Sequence, residues 1–214
     1  MESKEKTVTY TSKNTYATLN ILSSQTKNVW LVFHGIGYLS KYFIKYFEVL
    51  NAEENYIIAP QAPSKYYLKN EYKYVGASWL TKENTITETK NVLHYIDAVL
   101  EAEEIPSNIN LYLLGFSQGV SVTMRWMTQR KIKCHTLVLY AGGIPNELTS
   151  KDFDYLDLSF TQIKMVYGTL DGYLNIERLK SEKTKIDSLF GGKVEIITFE
   201  GGHEMKPEII KNLI

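Results

Sequence analysis

The stretch Leu111–Gly119, LYLLGFSQG, constrains this chain more than any other. Leu111, Tyr112, Leu113 and Leu114 form a short continuous apolar run, the pattern of a strand buried on both faces. Gly115, Phe116, Ser117, Gln118 and Gly119 follow as G-x-S-x-G, and Val120–Met127 reads as the start of a helix. A strand that passes into a helix through one serine must turn sharply, and a side chain at either flanking glycine would collide with the crossing strand and helix. The unit therefore predicts a strand inside a sheet, with Ser117 projecting from its carboxyl end above a helix N-terminus that favours negative charge. Five residues can meet such a pattern by chance. Its meaning depends on whether the rest of the chain supplies partners for the serine.

The chain has 214 residues, enough for one α/β domain with a full core. Lys plus Arg and Asp plus Glu are 24 each, so no net charge points to nucleic acid or an anionic surface. Cys134 is the single cysteine, which rules out a disulfide framework or a C-x-x-C pair. His34, His94, His135 and His203 are scattered singly, without metal-ligand spacing, and no metal or cofactor is expected. The opening MESKEKTVTY is polar and lacks the apolar core of a signal peptide. No apolar run approaches the roughly 20 residues that span a bilayer. A cytoplasmic setting is expected, with no stable membrane insertion.

Hydrophobic periodicity divides the chain into alternating strands and helices. Thr7–Thr11 and Tyr16–Ile21 alternate apolar and polar residues around Ser12–Asn14, which predicts an N-terminal antiparallel hairpin. Asn28–Phe33 reads as a buried strand ending in HGIG, followed by a helix with Leu39, Tyr42, Phe43, Tyr46, Phe47 and Leu50 on one face. Tyr56–Ala59 is a short strand running into PQAP, and Ser64–Leu80 is a long tyrosine-rich connection. Thr85–Glu101 is a helix with Thr85 and Glu88 at capping-box spacing and Ile86, Leu93, Ile96 and Leu100 inward. Beyond the helix that follows Gly119 come a strand His135–Tyr140, a loop Asn146–Phe160 and a strand Ile163–Tyr167. A helix Ile176–Phe190 with Ile176, Leu179, Ile186 and Phe190 inward, a strand Val194–Phe199 and a short helix opened by Pro207 complete the chain. The whole predicts a single α/β domain, residues 1–214: a mostly parallel, twisted sheet with helices on both faces.

Ligands of such sheets sit beyond the carboxyl ends of the strands. Those ends carry His34–Gly37, Pro60–Pro63, Ser117-Gln118, Ala141–Pro145, Gly168–Gly172 and Gly201–Glu204. Asp171 is the one carboxylate on its loop and His203 the one histidine after the last strand, which gives the order Ser, Asp, His found in α/β-hydrolases. His203 is the expected base for the Ser117 proton, and Asp171 the group that orients it. Asp152, Asp154 and Asp157 are rivals that lie in a preceding loop and not at a strand end. The N–H groups of Gln118 and Ile36 are the expected oxyanion donors. His34 is read as a support for its loop, and His94 and His135 as structural.

HGIG, APQAP, GASWL, GFSQG, GTLD and GGHE together resemble the phospholipase/carboxylesterase family of α/β-hydrolases, which includes the acyl-protein thioesterases, from about Val29 to the C-terminus. The resemblance implies a serine hydrolase with a minimal lid or none, no metal or other cofactor, and a carboxylic ester or thioester as its small-molecule partner. It implies Ser117, Asp171 and His203 as catalytic residues and Ile36 and Gln118 as oxyanion donors. A homodimer is compatible with it. Three departures fall on the substrate side: Tyr38 where the family usually has Gly-Asp, Leu80-Thr81 after the tryptophan where an acidic residue is common, and Val120 where a second glycine is common. Trp79, Tyr66, Tyr67, Phe116, Ile144 and Tyr173 are the expected substrate contacts, with Phe153 and Leu174 as further walls. A lysophospholipase acting on lipids and a non-catalytic receptor on the same scaffold are the alternative readings.

Overall fold

The structure, a computed structural model, describes residues 3–214. In chain order its elements are β1 (Tyr16–Leu19), β2 (Asn28–Phe33), α1 (Ser40–Phe43), β3 (Asn55–Pro60), β4 (Ser64–Tyr67), β5 (Val75–Ser78) and α2 (Thr85–Glu103). They continue with β6 (Asn110–Phe116), α3 (Gln118–Arg130), β7 (Thr136–Tyr140), β8 (Gln162–Gly168), α4 (Ile176–Phe190), β9 (Glu195–Phe199) and α5 (Pro207–Lys211). Seven strands form one sheet in the order β1-β3-β2-β6-β7-β8-β9, parallel throughout except for β1. Every residue of β2, β3 and β7 is buried, as expected of strands covered by helices on both sides.

The order of strands places the site. From β2 the chain steps outward to β3 through α1, then returns over β2 to β6 through α2 and proceeds the other way through α3 and α4. Right-handed crossovers put α1 on one face and α2, α3 and α4 on the other. The loops after β2 and β6 therefore part in opposite directions, and a crevice opens between them at the carboxyl edge. Register holds the two loops level, because Phe33 pairs with Gly115 and Phe116 with Tyr140.

Several expectations need correction. Strand β1 is an antiparallel edge strand, but its partner is β3, with Tyr16 opposite Pro60 and Leu19 opposite Ile57. Thr7–Thr11 is exposed and outside any strand; the ladder edge of a fully buried strand is a better partner than an isolated hairpin arm. The segment after HGIG is one α turn followed by a 3₁₀ turn, Ile44–Phe47, rather than a continuous α-helix. It still buries Phe43, Ile44, Phe47 and Leu50, while Tyr42 is exposed. The tyrosine-rich connection contains the hairpin β4–β5. Thr85 donates to the Thr81 carbonyl at 2.8 Å and makes no capping box with Glu88. Ile86 and Ile176 are exposed because the first turns of α2 and α4 stand clear of the core; the first buried positions are Thr89 and Glu182. The loop Asn146–Phe160 holds a 3₁₀ turn, Ser150–Phe153, closed by a capping box between Thr149 and Asp152. Among the described residues no helix is long and apolar enough to cross a membrane.

Candidate active site

Ser117 stands between β6 and α3 with φ 53° and ψ −117°, a conformation that non-glycine residues rarely adopt. The turn is held from both sides. The Ser117 N–H donates to the Tyr140 carbonyl (2.9 Å), and the Ser117 carbonyl accepts from the Val120 N–H (3.1 Å). Strand and helix nearly touch here: a Cβ on Gly115 would lie 2.5 Å from the Gly119 carbonyl oxygen. This close approach is the physical content of the G-x-S-x-G spacing.

The loops after β8 and β9 bring Asp171 and His203 to this serine. Backbone bonds from Thr169 N–H to the Phe199 carbonyl and from Leu170 N–H to the Gly201 carbonyl, both 2.9 Å, lock the two loops together. Asp171 is buried, and one of its oxygens accepts the Tyr173 N–H at 2.9 Å. Its other oxygen lies 2.8 Å from His203 Nδ1, and His203 Nε2 lies 2.8 Å from Ser117 Oγ. An ionised carboxylate can only accept, so Nδ1 carries the proton and Nε2 is left to accept from the serine hydroxyl. The ring is fixed between Phe116 (centroids 5.1 Å apart) and Tyr173 (4.8 Å, edge-on). Such a hydrogen-bonded chain can remove the serine proton and return it to a leaving group.

The second loop, His34–Gly37, faces the turn across the crevice. Its Gly37 N–H donates to the Ala77 carbonyl of β5 at 2.8 Å. Among the described residues the N–H groups of Ile36 and Gln118 have no hydrogen-bond partner. The Gln118 side chain ties the turn to the strand exit: Oε1 accepts the Trp79 N–H (2.8 Å) and Nε2 donates to the Leu80 carbonyl (2.7 Å).

His34 is fully buried beneath this loop. Its Nε2 accepts the Ala62 N–H (3.1 Å), so Nδ1 donates to the Gly35 carbonyl (2.8 Å). Burial pushes its pKa down to about 4. The unfolded chain takes up the same proton near the ordinary value of about 6.5. Between these two values the unfolded state binds the extra proton, so stability falls as pH falls through the window. The expected loss by the lower limit is about 3 kcal/mol. Urea unfolding from about pH 7 to about pH 4.5 should register it as a falling midpoint, with a flatter profile in His34→Gln.

A groove of about 490 Å³ opens in front of Ser117. Ile36, Phe116, Gln118, Tyr173 and His203 line it, and so do Tyr38, Ser121, Ala141, Leu174 and Arg178, of which Leu174 alone is an expected wall. Other expected contacts lie elsewhere. Trp79 is buried against Phe33 and His34 and donates to the His34 carbonyl at 2.8 Å, so it supports the loop from behind. Tyr66 and Tyr67 are exposed on β4 and do not line the groove. Ile144 is buried and borders an adjoining cavity, and Phe153 packs on Phe190. One signal for Arg178 was present in the sequence. Glu182 interrupts the apolar stripe of α4 between Leu179 and Ile186, and a carboxylate there needs a cation nearby. Among the described residues no group of three or more His, Cys, Asp or Glu side chains could hold a metal ion.

Residues 14–214 match a family model described as Phospholipase/Carboxylesterase. Among solved structures, acyl-protein thioesterase 2 of Zea mays matches with a TM-score of 0.71 and 15% identity, over 94% of this chain and 96% of that one. A phospholipase/carboxylesterase from Dyadobacter fermentans matches with a TM-score of 0.67 and 21% identity, over 96% of this chain and 98% of that one. The esterase PE8 matches with a TM-score of 0.64 and 16% identity, over 95% of this chain and 100% of that one. A comparison with curated proteins gave no match.

Proposed function

The chain belongs to the phospholipase/carboxylesterase family, and from that premise we propose that it is a serine hydrolase cleaving carboxylic esters or thioesters through an acyl-enzyme. The observation that carries this reading is the pair of 2.8 Å contacts that join Ser117 Oγ to His203 and His203 to Asp171. In the first step Ser117 Oγ attacks the carbonyl carbon while His203 Nε2 takes the hydroxyl proton. Negative charge gathers on the carbonyl oxygen, and the N–H groups of Ile36 and Gln118 are the donors for it; losing one such donor typically costs about 10²–10³ in turnover. The imidazolium formed on His203 is stabilised by Asp171 and gives its proton to the departing alkoxide or thiolate. A water molecule, deprotonated by the same nitrogen, then attacks the acyl-enzyme and frees Ser117.

A fluorophosphonate tests the reading directly, because it traps an activated serine at phosphorus. One equivalent is expected to label the Ser117 peptide in mass spectrometry, and the Ser117→Ala protein is expected to stay unlabelled. Wild-type protein that takes up no label, or takes it up at another residue, overturns the reading.

A further inference from the structure

Among the residues that line the groove, Arg178 is the one with a permanent positive charge. It lies in the first turn of α4, half exposed, and its Nε donates to Glu182 Oε1 at 2.8 Å. Glu182 is fully buried, and its other oxygen accepts the Ile144 N–H at 2.9 Å. Buried and bonded at both oxygens, the carboxylate fixes the guanidinium at Nε. Lys185 Nζ lies 3.5 Å from the same carboxylate. Two cations therefore converge on one anion, and one positive charge is left over.

Arg178 Nη2 lies beside Gly143, a residue of the groove wall. Arg178 Nη2 sits 2.5 Å from the place a Cβ on Gly143 would take, so a side chain there would displace the guanidinium. Gly143 and Ser121 line the groove beside Ser117 and continue into the adjoining cavity, whose wall Arg178 shares. Among the described residues the two Nη groups have no hydrogen-bond partner. A planar fork with one edge anchored and the other open suits a carboxylate or phosphate, which it meets with two parallel hydrogen bonds. A groove meant for an unadorned acyl chain has no use for this charge.

Building on the serine-hydrolase reading, the geometry points to substrates that carry an anionic group, held by Arg178 at the Gly143 end of the groove while the ester carbonyl lies at Ser117. Glu182 is the positioning residue that orients the fork.

Two pairs of esters test this and separate the two ends of the substrate. Mono-p-nitrophenyl glutarate against p-nitrophenyl butyrate puts the charge on the acyl side; 4-acetoxybenzoate against phenyl acetate puts it on the alcohol side. In one pair kcat/KM should favour the anionic member, and Arg178→Gln should lower that anionic-to-neutral ratio about ten- to hundredfold. Arg178→Lys, which keeps the charge and loses the fork, should fall between. The wild-type ratio should also shrink as salt rises to about 0.5 M. Wild-type ratios indifferent to salt, or ratios that Arg178→Gln leaves unchanged in both pairs, overturn the proposal. If Arg178→Gln does not fold, Arg178→Lys and the salt series decide it. Should the protein hydrolyse none of the four esters and take no phosphonate at Ser117, the serine-hydrolase reading fails. Calorimetry with glutarate dianion then judges the site alone. Binding lost in Arg178→Lys or Arg178→Gln supports the site, and no binding to wild type overturns it.

Discussion

Ser117→Ala is expected to lower kcat toward p-nitrophenyl butyrate by about 10⁴–10⁶, with little further loss when His203→Ala is added. The non-additivity is the informative part. In the proposed mechanism Ser117 and His203, 2.8 Å apart, share one proton, so removing either group removes the same step. Asp171→Asn should cost about 10⁴ for a different reason. Asn can donate from its amide to His203 Nδ1, which favours the tautomer with the proton on Nε2, and that nitrogen can no longer accept from the serine. The loss should fall on kcat with KM little changed, because Asp171 is buried and stands behind the imidazole. Initial rates on purified variants, with folding checked by circular dichroism, decide the matter. A Ser117→Ala enzyme within tenfold of wild type would remove Ser117 from the chemistry.

Gly119→Ala should destabilise the fold by about 3 kcal/mol or more, or prevent folding altogether. The added Cβ would lie 2.1 Å from the Phe33 carbonyl oxygen and 2.7 Å from its carbon, both backbone atoms of β2 in the middle of the sheet. No rotamer change relieves such a clash. Either α3 must lift from the sheet or β2 must shift. Phe33 leads directly into His34–Gly37, so any shift also displaces the Ile36 N–H. Residual activity should therefore fall further than the folded fraction alone accounts for. Gly172→Ala is the control: a Cβ there meets nothing within 4 Å, and its urea midpoint should stay close to wild type. Equal midpoints for the two variants would mean that the close approach of α3 to β2 is not a constraint on stability.

The parts of the molecule that were legible in the sequence are those with local causes. Apolar runs such as Asn28–Phe33 and Leu111–Leu114 have few ways to be buried other than as interior strands. The glycines of G-x-S-x-G encode a close approach that any fold containing that turn must make. Alternation of strands and helices then fixes a parallel sheet, and a parallel sheet collects its loops at one edge, so Ser117, Asp171 and His203 could be grouped from their positions at strand ends. The partner of β1 was not legible. Thr7–Thr11 has the alternation of a strand, but pairing depends on which buried edge is free, and that is a property of the assembled sheet. Ile86 and Ile176 continue an apolar period, yet lie in turns that overhang the core, because periodicity does not say where a helix meets the sheet.

What the sequence determined by itself is the turn around Ser117 and the order of the residues that meet it, because both follow from backbone sterics and the geometry of a parallel sheet. What only the tertiary structure decided is the wall of the groove. Trp79 went behind the His34–Gly37 loop, Tyr66 and Tyr67 went out onto the hairpin, and Arg178 came to the front because the buried Glu182 holds it there. The long-range part of this is the bond from Trp79 to the His34 carbonyl and the bond from the Ile144 N–H to Glu182, which fixes the carboxylate that holds Arg178. Tyrosine, tryptophan and arginine are long enough to reach several surfaces, and packing alone selects which one each covers.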